Sequence, residues 1–366
     1  MNIFAKSPTK LSSINLIYSG KVIHEEKPFR GVSHLAEHLM AYAVRDMESE
    51  YEKYGIVSNA CTGPLYVSFY LQGLERYIKK FAYDFIAKII NFVPSKELFE
   101  RERKVVLEEY KDCFTDQVMS YLLNQSRINY DYCGAIGYRE DLENLTYEQY
   151  LEFQKSFFSK PDKLLYIGSK AIDFNLEFAK TDCNKLFDFK LETNLQLEKL
   201  NSFKEKAVVH LHTQITPEEL PYMKFASALL SKGMDSPLFR VVREENALAY
   251  FVHCGVPSFS YNFATMDILT QVSTENLHFT FDVIENVLNN VEKYVTRKRL
   301  KDLITSYKIT LEKDDINRYT NIGKFITPYE STIDYLLDNK LLTYDKIIEI
   351  LKSKQGKFHH FSDKQL

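Results

Sequence analysis

The chain has 366 residues, more than one ordinary domain and about right for two of ~180 residues each. Hydrophobic residues make up 45% and charged residues 27%, which excludes a disordered chain, and a formal net charge of -3 lacks the basic excess that nucleic-acid phosphates demand. The five cysteines (Cys61, Cys113, Cys133, Cys183, Cys254) never form a C-x-x-C pair, which excludes a disulfide framework and a thiolate zinc knuckle and points to reduced thiols.

Residues 1–24 contain three Lys, several Ser and no acid, mildly like a transit peptide. They lack Arg, and Ile14, Leu16 and Tyr18 alternate as a strand does. This segment is therefore expected to be folded, in a cytoplasmic protein rather than one of the mitochondrial matrix. A second strand-like piece lies at Val22–Ile23. Gly31 to about Ala43 reads as a helix that Ser33 can cap. Residues 57–72 read as strand, turn, strand, with Val67, Phe69 and Leu71 alternating. Tyr77, Phe81, Phe85 and Ile89 recur at i+4 and mark a helix. The most apolar stretch, Phe81 to Val93, is broken by Asp84 and Lys88 and is too short to span a membrane. Ser95 can cap a helix from Lys96 to Tyr110, and further helices are expected at 116–126 and 147–158, with a strand at Leu164–Ile167.

Residues 189–206 are polar and lack an apolar face, so the domain boundary is placed there. The expected domains are 1–190 and 191–366. The second half begins again with a strand, Ala207–His212. Helices follow at Pro217–Leu230 and on to Glu245, then strands at 247–256 and 265–272, then helices near 276–295, 297–312 and 344–352. Both halves run strand first, then helices and hairpins. The expected fold class is α+β, with two similar tandem domains, each a largely antiparallel sheet packed with helices.

The chemistry concentrates in His34-x-x-Glu37-His38. On a helix, positions i and i+4 share a face with i+3 beside them, so two imidazoles can bind one Zn²⁺ next to a carboxylate. Zinc lowers the pKa of a bound water to about 7, and the neighbouring Glu can take its proton and return it to a leaving amine. A catalytic zinc usually has three protein ligands. Glu102 and Glu109 stand two helical turns apart and face the same way, so one can ligate while the other orients a ligand or the water. The same run by itself also reads as a solvated charged face. His210 and His212 alternate on a strand and could chelate a metal, but no carboxylate sits beside them, so they read as core or surface residues; His359 and His360 lie in a charged tail and read as solvated.

Four motifs in order give a family resemblance: Gly31-x-x-His34-x-x-Glu37-His38, then Asn59-Ala60-Cys61-Thr62 with its alternating strand, then Glu102-x(6)-Glu109, then Arg243-Glu244-x(3)-Leu248-Ala249-Tyr250. H-x-x-E-H is the inverzincin zinc motif. The chain resembles the pitrilysin/insulinase family of zinc metallopeptidases, in the short two-domain form similar to mitochondrial processing peptidase subunits. The resemblance implies a pitrilysin-like fold and a zinc metalloendopeptidase. By it, His34, His38 and Glu109 match the zinc ligands, Glu37 the general base and Glu102 the carboxylate behind the ligands. Asn59, Ala60, Cys61 and Thr62 match the edge strand on which the family lays its peptide, an addition held by main-chain bonds. Arg243 and Tyr250 match a pair near the scissile carbonyl, where a cation and a phenol can stabilise a developing oxyanion.

Three departures go with the resemblance. The usual Gly-Thr after the zinc helix is missing, the interval from His38 to Glu109 is short for the family, and Cys61 stands where an aromatic is common. In long members two such halves enclose a chamber that admits short or unfolded peptides, and the Arg/Tyr pair comes from the half opposite the zinc. One half alone implies a homodimer, or a heterodimer with a related subunit. The family's non-catalytic partner subunits supply a second reading, and a maturation protease for one specific precursor a third.

Overall fold

The computed structural model describes residues 1–7, 9–19, 25–63, 65–112, 135–179, 206–257, 264–313, 333–354 and 357–362. They divide into two units. One holds the described residues up to Ala179 together with Leu311–Lys313, and the other holds those from Lys206 to Thr310 and from Ile333 onward.

The first unit is a five-stranded sheet of β1 (Asn2–Lys6), β2 (Leu11–Ser19), β3 (Val57–Gly63), β4 (Tyr66–Leu74) and β5 (Lys163–Gly168), in the order β1-β5-β2-β4-β3. Every pairing is antiparallel except β1 with β5. β2 is central because both of its faces are apolar or neutral, and Ile14, Leu16, Ile17 and Tyr18 are all fully buried. β1 was not expected. It is short, alternates exposed with half-buried residues, and exists through its pairing with β5 some 160 positions away.

Three helices pack on this sheet, α1 (Val32–Ala41), α2 (Glu48–Lys53) and α3 (Glu75–Asn91), and α4 (Lys96–Asp112) packs against α1. α3 buries Ile78, Phe81, Ala82, Phe85, Ile86 and Ile89, an i, i+3, i+4 stripe that drives it onto the sheet. α4 starts where expected, with the Leu98 amide donating to the Ser95 hydroxyl. α1 contacts β3, β4 and α4, so one helix joins the sheet edge to the helix that carries Glu102 and Glu109. The helix Tyr147–Phe157 opens with a Thr146/Gln149 capping box.

The second unit is a four-stranded antiparallel sheet of β6 (Lys206–Ile215), β7 (Val252–Gly255), β8 (Ala264–Ser273) and β9 (Lys357–Ser362), in the order β7-β8-β6-β9. The helices Leu220–Ser231, Leu277–Asn289 and Tyr344–Lys352 bury their apolar stripes in its core. The strand expected at 247–256 shrinks to β7, because Ala247 turns through φ +51° and the Leu248 amide closes onto Val242 O. The helix expected over 276–295 breaks at Asn290, and the helix Ile333–Asp338 was not expected.

Two histidine pairs gain a setting here. His359 and His360, read as a charged tail, lie on β9, with His359 in register with His210. His210 does have a carboxylate beside it: Asp267 Oδ1 lies 3.1 Å from its Nε2, brought there by β8. His210 and His212 are both fully buried. The segments expected at Val22–Ile23 and 116–126, and nearly all of the boundary segment 189–206, lie outside the described residues. No helix among the described residues is long and apolar enough to cross a membrane.

Candidate functional site

The helix α1 starts abruptly, and its start is built from outside the helix. Gly31 holds φ +99°, and a Cβ there would sit 2.6 Å from Ile136 O. Gly137 meets it from the other side: a Cβ on Gly137 would lie 2.2 Å from Gly31 Cα. The two glycines let the backbones touch, which no other residue type allows.

The cap is Glu25 rather than Ser33. The Gly31 and Ser33 amides each donate to one oxygen of the Glu25 carboxylate at 2.6 Å, satisfying donors that a helix start leaves open. Next to this cap Arg30 grips Asp141 through Nε at 2.8 Å and Nη2 at 3.0 Å, with both side chains buried. The guanidinium also stacks 3.7 Å over the Tyr138 ring. Burial works against the Asp141 charge, but the Arg30 bonds still hold its carboxyl below the usual range.

Glu25 carries a pH signature. Burial lifts its carboxyl to about 7, the Ser33 hydroxyl and the two amides pull it down, and Asp141 pushes it up. Between the ordinary value of 4.5 and about 7 the folded chain keeps a proton that the unfolded chain has released. This contribution to stability is whole below the lower value and is lost as pH rises through the upper one. Unfolding free energy is therefore expected to fall across this window by roughly 3 kcal/mol more in the wild type than in Glu25→Gln. Denaturant titrations at several pH values check this; parallel profiles for the two proteins would count against it.

On α1 the His34 and His38 rings stand edge to face with centroids 4.7 Å apart. His34 Nε2 lies 3.7 Å from one Glu109 oxygen and His38 Nε2 lies 3.6 Å from the other. These distances are too long for hydrogen bonds. They are close to the edge of a tetrahedron with bonds of 2.0–2.1 Å, which is about 3.4 Å. The donor set of two imidazole nitrogens and one carboxylate thus has the spacing of ligands around a small cation. Ligand atoms of His34, Glu37 and His38 also lie within 4.8 Å of one another.

Glu102 occupies a different position. Its Oε2 lies 3.6 Å from Nδ1 of His38, on the opposite side of the imidazole from Glu109, and its side chain is buried. Arg101 Nε donates to its other oxygen at 3.2 Å. Glu102 is therefore placed to orient a ligand, while Glu109, 42% exposed, reaches the open side of the cluster.

Charge states suit the same use. Burial, and then the neighbouring His38, pushes the His34 imidazole down to about 4, so it is neutral and able to ligate at ordinary pH. Burial raises the Glu37 carboxyl; His38 and a hydrogen bond from Thr62 counter it, and Glu109 adds to it. Thr62 Oγ1 donates to Glu37 Oε2 at 3.0 Å.

Asn59, Ala60, Cys61 and Thr62 lie on β3, the edge of the sheet, in register with Tyr70, Phe69, Ser68 and Val67 of β4. Val57, Asn59 and Cys61 are exposed, and Ser58, Ala60 and Thr62 are half-buried.

In the second unit Arg243 lies in a π turn at Arg240–Glu245. Its guanidinium stacks 4.7 Å over the Tyr250 ring and 4.8 Å over Phe239, and Nη1 donates to Tyr250 O at 3.2 Å. Tyr250 is 80% exposed.

The structure thus gathers His34, Glu37, His38, Glu102, Glu109 and Thr62 in one place and pairs Arg243 with Tyr250 within the other unit. Sequence reasoning missed Glu25, the Arg30–Asp141 pair and the bond from Thr62 to Glu37. Glu25 lies six residues before Gly31, outside capping-box spacing, and Asp141 is over a hundred positions from Arg30, so neither left a local signal.

Comparison with known proteins bears on both units. Residues 3–132 match the model for insulinase (peptidase family M16), and residues 203–307 match the model for the peptidase M16 inactive domain. No curated protein matches the chain in sequence. A protease from Helicobacter pylori is similar in structure, with TM-score 0.77 and 15% identity, over 99% of this chain and 96% of that one. A peptidase M16 inactive domain from Pseudomonas fluorescens gives 0.74 and 14%, over 100% and 97%. The first half of the periplasmic protease PqqL from Escherichia coli gives 0.65 and 12%, over 99% and 90%. At these identities the likeness shows the fold.

Proposed function

Since this chain belongs to the pitrilysin/insulinase family of peptidases, we propose that it is a zinc metalloendopeptidase acting on short or unfolded peptides. The observation that carries this reading is the pair of imidazole Nε2 atoms facing one Glu109 carboxylate at ligand spacing, with Glu37 alongside. The inactive-domain model matches only residues 203–307, and every candidate metal ligand lies outside them.

His34, His38 and Glu109 would hold Zn²⁺. Bound zinc would polarise the peptide carbonyl and ease ionisation of the attacking water. Glu37 takes the proton from that water and delivers it to the leaving nitrogen. Its raised affinity for protons suits a group that must both accept and return one. Glu102 holds the His38 ring in line from behind. The free edge of β3 takes the peptide as an added strand, through main-chain bonds that ask little of its sequence.

The Arg243–Tyr250 pair has a separate part in the proposal. It is already assembled on the second unit with the Tyr250 ring exposed, and it would stabilise the developing oxyanion at the metal centre of a partner chain. The partner is a second copy of this chain or a related subunit. One similar structure is described as the first half of a protease, which suits a chain that supplies half of a chamber.

About one zinc per chain is expected on purification. Cleavage of an unfolded peptide should stop with a strong chelator and return with added Zn²⁺. Absence of both zinc and chelator-sensitive cleavage would favour the second reading, a non-catalytic partner subunit, which the match to the inactive domain keeps in view.

A further inference from the structure

The Thr62 hydroxyl points at Glu37 while its backbone lies on the free edge of the sheet, and the two facts belong together. Among the described residues β3 pairs with β4 on one side only, so its main-chain groups alternate between the ladder and the unpaired side. The Ala60 amide donates to the side-chain Oδ1 of its own neighbour Asn59 at 2.8 Å. A donor satisfied in this way faces the open side rather than β4. With a strand period of two, the Thr62 amide faces the open side as well. The side chains of Ser58, Ala60 and Thr62 share the half-buried face, and on that face Thr62 Oγ1 donates to Glu37 Oε2 at 3.0 Å.

Resting on the peptidase reading, we infer that Thr62 is a positioning residue for the general base. Its backbone takes part in seating the peptide strand, and its hydroxyl fixes one oxygen of Glu37 and leaves Oε1 turned to the water. A peptide that straightens the β3 edge thereby also sets the aim of the base. The residue matched to substrate binding thus acts through its side chain on catalysis, and only through its backbone on binding. Asn59 has a lesser part: its side chain shields an edge donor until a peptide claims it.

The variants Thr62→Val and Thr62→Ser separate these roles. Valine keeps the shape and is a good strand former, so the fold holds. Thr62→Val is expected to lower kcat about tenfold on a quenched fluorogenic peptide while KM stays within about twofold. Thr62→Ser is expected to restore kcat. A wild-type kcat in Thr62→Val, or an equal loss in Thr62→Ser, overturns the inference. Crystal structures of the zinc-loaded wild type and Thr62→Val add a readout that needs no turnover. The Glu37 carboxylate should leave its place in Thr62→Val, and an unmoved carboxylate overturns the inference. A wild type that binds zinc and cleaves nothing would sink the peptidase reading, while the position of Glu37 would still decide on Thr62.

Discussion

Glu37→Gln is expected to lose about 10³-fold in kcat while keeping its full zinc content. The exchange is nearly isosteric. The amide oxygen of glutamine can still accept the bond from Thr62, so the side chain keeps its place on the half-buried face. His34, His38 and Glu109 are untouched, so metal binding should persist. The variant cannot accept a proton, and the attacking water then loses its base. KM should change little, since the peptide is held by the edge of β3 and not by Glu37. The checks are zinc analysis, KM and kcat on one peptide. Full activity with normal zinc would end the mechanism proposed for this site.

The second large effect is a gain. Two inactive variants, His34→Ala and Arg243→Ala, should recover activity when their chains are mixed and allowed to exchange. In a mixed homodimer one centre combines the intact ligands of the Arg243→Ala chain with the intact Arg243 of the other. Random pairing gives about half mixed dimers with one working centre each, or about a quarter of wild-type activity. The expectation rests on the pre-stacked Arg243–Tyr250 pair, whose exposed tyrosine ring and neighbouring cation have the character of a contact site. A chain carrying both substitutions, mixed with either single variant, serves as the control and should recover nothing. No recovery from the two single variants, with exchange proven by a labelled chain, would place the pair at its own chain's centre or nowhere near one.

Much of the site was legible because its spacing is local. His34, Glu37 and His38 fall within two turns of one helix, and Glu102 and Glu109 within two turns of another, so helical periodicity alone aligns each set. The stripe from Ile78 to Ile89 and the alternation along β2 and β4 were legible for the same reason. Two kinds of feature were not. Short strands such as β1 and β9 carry little pattern, and partners far along the chain make them strands. Polar contacts across the fold were invisible too, as Asp267 beside His210 makes plain.

The sequence by itself determined which residue types share a helix face, and with the four ordered motifs it determined the family. The tertiary structure decided how those faces meet. It put Glu109 against the Nε2 atoms and Glu102 against Nδ1 of His38, a division that equal helical facing could not make. It also recruited Glu25 as the cap of α1 and turned the Thr62 hydroxyl on the edge strand β3 toward Glu37. Helical and strand periods are properties of a few consecutive residues and can be read along the chain. Which oxygen faces which nitrogen depends on packing between segments far apart in it, and only folding brings them together.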